Sequence, residues 1–208
     1  MTKHTNWLLT IALLIIPTLL IAQESPNSKQ ARQMFDRTYK MVFGSQGCSL
    51  HYDVNLIGVY KAQGNISYKG KKSKFVESRY FAWNDGVTHT LVDNKKKTVS
   101  IFDADSDKKD KYSSNFKFSP DDYTYSVEND EKGYLLTLKL KSGRKGMKIV
   151  KALIDKQTRA PISLRIKVAL FWAHINITNF KSGNISDAIF KFPAKQYSNY
   201  KVIDKRGE

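Results

Sequence analysis

The chain has 208 residues, 35 Lys and Arg against 19 Asp and Glu, and one cysteine. That length suits one well-filled domain burying roughly 70% of its unfolded surface, and a single cysteine excludes an internal disulfide, so the core holds by packing alone. A net charge of +16 calls for an anionic counter-surface or serves solubility.

Residues 1–22 have the layout of a secretory signal peptide. Lys3 and His4 precede an apolar run from Trp7 to Ile16, then Pro17, then Leu19-Leu20-Ile21-Ala22 before Gln23. Crossing a bilayer takes about 20 continuous apolar residues, and Thr10, Pro17 and Thr18 interrupt a shorter run. No cysteine stands at the cleavage site to carry a lipid, and Cys48 is too distant. The expectation is cleavage near Ala22–Gln23, one domain over 23–208, and a place outside the cytoplasm. Only one basic residue, Lys3, is lost with this segment, so the mature chain stays strongly basic. An exported chain has no nucleic acid partner to meet; anionic lipid head groups or an acidic partner fit the charge instead. The lysines are nevertheless spread along the chain (Lys71, Lys95, Lys108, Lys139, Lys191), as mere solubility also requires.

The spacing predicts one helix over Ser28 to Phe43. Ala31, Met34, Phe35, Thr38, Met41 and Val42 share a face, Lys29, Arg32, Asp36, Arg37 and Lys40 the other, and Gly44 and Gly47 end it. The period then becomes two. Leu50, Tyr52, Val54 and Leu56 alternate with polar residues, and Ile66 and Tyr68 follow after Gly64. A long strand is expected from about Ser73 to Trp83, closed by an Asn84-Asp85-Gly86 hairpin turn. Val87 to Val92, a turn at Asn94-Lys95, and Thr98 to Phe102 follow. After a charged loop from Asp103 to Lys111 and an irregular stretch from Phe116 to Asp122, strands resume with Tyr134 to Leu140. Then come Lys148 to Ile154, Ile162 to Leu170, and Trp172 to Phe180.

About nine strands joined by tight turns argue for one antiparallel meander curling on itself. One face of such a sheet is apolar and must be covered. The single strong helix, with short turns near Ser119–Asp122 and Ser186–Ala188, is about 22 Å long, too short to seal that face by itself. Either the barrel closes on its own side chains or a cavity remains.

The stretch Ala62-Gln63-Gly64-Asn65-Ile66-Ser67-Tyr68-Lys69-Gly70-Lys71-Lys72, then Trp83-Asn84-Asp85-Gly86-Val87-Thr88 and Val99-Ser100-Ile101, resembles the LolA-like family of periplasmic lipoprotein carriers, its Bacteroidetes-type branch most of all. Asp155-Lys156-Gln157-Thr158-Arg159-Ala160-Pro161, Ile175 to Phe180, Phe190-Lys191-Phe192-Pro193 and Val202-Ile203-Asp204 continue the resemblance through the mature chain. It implies an incomplete antiparallel β-barrel, mainly β with one or two helices, covered by an N-terminal helix lid. It also implies a hydrophobic cavity that carries lipoprotein acyl chains from inner to outer membrane without chemistry or cofactor. The partners implied are an inner-membrane release complex and an outer-membrane acceptor, with the protein a monomer. Well-studied members have an Arg-Pro pair after the Lys that matches Lys69, and that arginine helps hold the lid. Gly70 and Lys71 stand there in this chain, so no residue inherits the role. Where the closer branch has an aromatic after Lys-Gly, this chain has Ser73, with Phe75 two residues on. An envelope sensor that detects lipid or lipoprotein on the same scaffold is the alternative function.

The candidate cavity residues are Phe75, Phe81, Trp83, Leu91, Leu136, Leu138, Leu164, Ile166, Val168, Ile175 and Ile177, with Met34, Phe35 and Met41 on the lid helix. Each of these apolar side chains also reads as ordinary core; methionine suits a surface that repacks around variable chains. Catalytic and metal-binding patterns are weak. His51, His89 and His174 lie at no ligand spacing to one another or to Cys48, so an exported hydrolase has no nucleophile–base set to stand on. Asp103-Ala104-Asp105-Ser106-Asp107 begins like a calcium loop, yet Lys108 stands where glycine is needed and Ser114 where the bidentate Glu belongs. Three glycosylation triplets, at Asn65, Asn176 and Asn184, read as chance in a chain of bacterial character. No enzyme, cofactor or metal is expected.

Overall fold

The computed structural model describes residues 24–56, 60–106, 118–168 and 170–207. The expected signal peptide with its cleavage site, the loop beyond Ser106 that includes Lys108, and the side chains of Tyr60 and Val168 lie outside the described residues.

Helix α1 spans Pro26–Phe43. Ser25 caps it by accepting a hydrogen bond from the Ser28 amide at 3.1 Å. The helix starts two residues before the expected Ser28, because Pro26 falls in the first turn, where a missing amide hydrogen costs nothing. At the other end the Gly44 amide donates to the Lys40 carbonyl at 2.9 Å and the backbone turns extended.

Twelve strands form a single sheet. They are β1 (Cys48–Leu56), β2 (Tyr60–Lys69), β3 (Lys72–Glu77), β4 (Tyr80–Asn84), β5 (Thr88–Asp93), β6 (Thr98–Asp103), β7 (Tyr123–Asp130), β8 (Gly133–Leu140), β9 (Ile149–Ile154), β10 (Pro161–Val168), β11 (Phe171–Ser182) and β12 (Lys201–Asp204). Their spatial order is β12-β6-β5-β4-β3-β2-β1-β11-β10-β9-β8-β7. The chain therefore enters at the middle, meanders outward to β6, crosses to the far edge at β7, and meanders back until β11 pairs with β1. Every pairing is antiparallel except β12 on β6. The edges β7 and β12 do not meet, so the sheet is an open half-barrel with α1 laid across it, mainly β as expected.

Three departures from the sequence reading have physical causes. The stretch Ser73 to Trp83 is not one strand. Ser78 and Arg79 turn the chain, and β4 folds back on β3 with Phe75 opposite Ala82 and Val76 opposite Phe81. The turn is held by Arg79, whose carbonyl accepts from the Asn94 amide and whose guanidinium pairs with Asp93 at 3.1 Å. Strand β2 runs through Gly64 rather than starting after it. A Cβ there would stand 2.5 Å from the Val76 carbonyl and 2.7 Å from the Tyr52 hydroxyl, so this glycine permits close approach. Strand β7 lies where irregular chain gives way: Tyr123, Tyr125 and Val127 are buried and alternate with Thr124, Ser126 and Glu128.

The Asn84-Asp85-Gly86 turn forms as expected. Gly86 has φ +97°, its amide donates to Asn84 Oδ1, and Asp85 Oδ1 accepts from the Val87 and Thr88 amides. Val87 belongs to this turn, 78% exposed, and not to β5.

Candidate functional site

Direct cross-strand partners share a face of the sheet, so the register defines the concave surface row by row. One row runs Val127, Leu136, Ala152, Leu164, Ile175, Val54, Ala62 across seven strands from β7 to β2. A parallel row runs Tyr125, Leu138, Val150, Ile166, Ala173, Leu56. Beyond β2 the same face continues through Ile66, Phe75, Ala82 and Leu91 to Ser100. The result is an unbroken apolar surface in the middle of an open sheet.

Helix α1 covers the β7–β11 part of this surface. Ala31 is fully buried, and Met34 and Phe35 pack on the cluster built from Tyr125, Leu136, Leu138 and Val150. Phe35 meets Tyr125 and Phe118 with ring centroids 5.3 and 5.7 Å away. Further along, Val42 reaches a second cluster around Cys48, Leu50 and Tyr52, and Phe43 meets Tyr68 at 4.8 Å. The space beneath the helix is thus occupied by its own side chains. A groove of about 600 Å3 opens along β2 and β3 among His51, Gln63, Glu77 and Tyr80, beside the second cluster, whose Tyr52 hydroxyl donates to Glu77 at 2.6 Å.

The candidate residues fall into two groups. Phe75, Leu91, Leu136, Leu138, Leu164, Ile166, Ile175 and Ile177 share the concave face. Leu136 and Leu138 are each 1% exposed, whereas Leu91, Leu164, Ile175 and Ile177 are half-buried. Val168 lies in β10, its side chain outside the description. Phe81 and Trp83 are on the opposite face. Read as one strand, odd-numbered residues from Phe75 to Trp83 point the same way; the Ser78-Arg79 turn reverses that parity. There they form a third cluster with Val92, Val99, Phe192, Tyr197 and Tyr200, and the Trp83 ring stands 5.4 Å from Phe192. The C-terminal segment with its 3-10 turns at Asp187–Phe190 and Ala194–Tyr197 therefore covers the convex side.

On the lid, Met34 and Phe35 face the sheet, while Met41 is half-buried outside the three clusters and its carbonyl accepts from Ser182 Oγ at 3.4 Å. Sequence reading named Val42 on the apolar face but not as a lid residue. It named none of Tyr125, Phe118 and Tyr68 as site residues, although the alternation over Tyr123–Val127 was a signal that could have located Tyr125.

Polar tethers hold α1. Asn27 Nδ2 donates to the Val127 carbonyl at 2.8 Å and the Val127 amide donates to Asn27 Oδ1 at 3.0 Å. Thr38 Oγ1 donates to the Arg159 carbonyl at 2.9 Å. Arg32 pairs with Asp36 and with Asp121, both at 2.9 Å, and its guanidinium lies 5.3 Å from the Tyr125 ring centre. Burial pushes the Tyr125 hydroxyl well above the ordinary tyrosine range, and it donates to the Pro120 carbonyl at 2.7 Å. Lys69 tethers the C-terminal segment instead. Its Nζ donates to the Ile185 carbonyl and, with Lys72, pairs with Asp187. The hydrogen bonds from Lys72 and Lys69 hold the Asp187 carboxyl below the usual range.

Among the described residues, no three His, Cys, Asp or Glu side chains group so as to hold a metal ion, and no helix is long and apolar enough to cross a membrane. Cys48 is fully buried, and burial pushes its thiol up to about 11.

No protein-family model matches the sequence, and no curated protein does. Solved structures do. A conserved, uncharacterised protein from Thermus thermophilus superposes with a TM-score of 0.58 at 13% identity, over 85% of this chain and 99% of that one. MucB superposes with a TM-score of 0.48 at 11% identity, over 82% and 65%. A LolA superfamily protein from Nitrosomonas europaea gives 0.40 at 9% identity, over 79% and 98%. At these identities the likeness is one of fold.

Proposed function

We propose that this protein is a periplasmic carrier that shields lipoprotein acyl chains between α1 and the concave face of the sheet while they pass from inner to outer membrane. The observation that carries the reading is the pair of apolar rows spanning β7 to β1, left open at both sheet edges and covered by one helix.

The energetics fit the task. Each methylene taken out of water contributes about 0.8 kcal/mol, so one long acyl chain carries on the order of 10 kcal/mol of gross transfer energy. Met34, Phe35, Leu164 and Ile175, which pack on the same cluster, are half-buried and can give way to a chain of the same polarity. Exposed ion pairs such as Arg32–Asp121 are worth about 0–1 kcal/mol each, so closure rests mainly on the apolar contacts of α1, and a ligand that takes over those contacts can shift it. An inner-membrane release complex and an outer-membrane acceptor complete the cycle.

The test is native mass spectrometry of the mature protein purified from its envelope, followed by lipid extraction and a titration with synthetic diacyl lipopeptide. A co-purifying acylated species, or stoichiometric lipopeptide uptake with loss of α1 amide protection, is the expected result. A clean apo mass with no uptake overturns the carrier and leaves a sheet closed on its own side chains.

A further inference from the structure

The hairpin between β10 and β11 ends in apolar side chains that the fold leaves in water. Leu170 is 88% exposed and Phe171 52% exposed. Single exposed hydrophobics are ordinary, but these two are adjacent at the apex, with half-buried Trp172 next along β11 on the opposite face from Phe171. Cations surround it. The Arg165 guanidinium lies 5.2 Å from the Trp172 ring centre, and Lys167 is the direct cross-strand partner of Trp172.

The register adds a second cationic element. Ile166 pairs with Val150, which brings the β8–β9 connection, residues 141–148, to the same end of the sheet as the hairpin tip. That connection contains Lys141, Arg144, Lys145 and Lys148 and no acid. Lys141 Nζ donates to the Asp121 backbone carbonyl and Arg144 pairs with the Asp122 carboxylate, and Lys145 and Lys148 are exposed.

An apolar apex, an aromatic at its shoulder and a ring of Lys and Arg is the chemistry of a segment seated in a bilayer interface. Leucine and phenylalanine enter the acyl boundary, tryptophan sits at head-group level, and cations meet anionic head groups. We propose that the hairpin tip at Leu170–Trp172, with the basic β8–β9 connection beside it, docks this protein on the surface of an anionic bilayer. A second copy is disfavoured as the occupant because it would bring an identical cationic rim against this one. The proposal requires no cavity and no movement of α1, so it stands apart from the carrier reading.

The mature chain carrying Trp83→Phe retains Trp172 as its only tryptophan once residues 1–22 are removed, which makes the tip its own reporter. It is titrated with vesicles of phosphatidylcholine with and without phosphatidylglycerol. The expected result is a blue-shifted emission quenched by brominated acyl chains on the anionic vesicles, and binding roughly ten-fold or more weaker in Leu170→Ser/Phe171→Ser. Absence of the shift on anionic vesicles overturns the proposal. Equal binding by the double variant also overturns it, leaving surface charge alone, as does a dimer-to-monomer change in that variant by sedimentation velocity, which assigns the tip to a second copy. Lipopeptide uptake is measured in parallel: loss of vesicle docking with uptake intact separates this proposal's failure from that of the carrier reading.

Discussion

Asn27 and Val127 lie 100 residues apart and exchange two hydrogen bonds, amide to carbonyl at 2.8 Å and amide to carboxamide oxygen at 3.0 Å. The Asn27 side chain thereby imitates a further strand on β7, the edge of the sheet, and ties the first turn of α1 to it. An open edge with unpaired backbone groups is a liability, and here one side chain both blocks it and anchors the lid. Replacing Asn27 by Ala removes both bonds where water can compensate in part. We expect a loss of about 1 kcal/mol in denaturant unfolding and faster exchange of the Val127 amide. Unchanged exchange at Val127 would show that the edge is guarded by something else.

Arg32 is the second anchor of the helix. It reaches Asp36 and Asp121 and lies over the Tyr125 ring, from within the helix and not from the sheet. Its side chain is 32% exposed and that of Asp121 84%, so Arg32→Ala should cost less than about 1 kcal/mol of global stability. Its effect should appear on the lid instead, as several-fold faster amide exchange over Ala31–Tyr39 with exchange in β8 and β9 unaltered. A matching acceleration in β8 would mean that helix and sheet open as one unit.

The concave rows of β8 to β11 were legible from period-two alternation alone, because both flanking strands of each are long and their turns are unambiguous. The half of the site beyond β2 was not. Nothing in Ser73 to Trp83 marks Ser78-Arg79 as a turn: neither residue is Gly, Pro or Asn, and apolar residues continue on both sides. The unrecognised two-residue turn reverses the parity within that stretch, so Phe81 and Trp83 face away from Phe75 while Leu91, on the next strand, keeps its face. The pairing of β11 with β1 and of β12 with β6 was hidden for another reason. Contacts between segments so far apart in sequence leave no local period to read.

That parity gives a discriminating pair of substitutions. Leu164 is half-buried on the concave face beneath α1, and Leu164→Trp fills the proposed acyl path. Overpacking of this kind costs about 1–3 kcal/mol, and lipopeptide uptake should fall by an order of magnitude. Trp83 is buried on the convex face against Phe192 and Tyr197. Trp83→Phe should lower stability comparably and leave uptake unchanged. Equal loss of uptake in both would mean that binding tracks stability and not the concave face.

Cys48 supplies the pH prediction. The thiol is fully buried beside Leu50 and Tyr52, and burial raises it from 9.0 to about 11. Tyr68, its neighbour across the β1–β2 pairing, is pushed up to about 12 by burial and by the nearby thiol. A group whose folded value is raised favours the folded state fully below its unfolded value and loses that advantage as pH climbs to the folded one. Both groups therefore act in one direction. Stability should be level with respect to them up to about pH 9 and decline between 9 and 11 as the unfolded chain alone releases its protons. Cys48→Ala should flatten that decline relative to the native chain when denaturation midpoints are compared across the window. In the folded protein at pH 8 the thiol should resist iodoacetamide and react only in denaturant. Rapid alkylation of the folded chain would show that β1 and the C-terminal end of α1 part readily, exposing the second cluster to solvent.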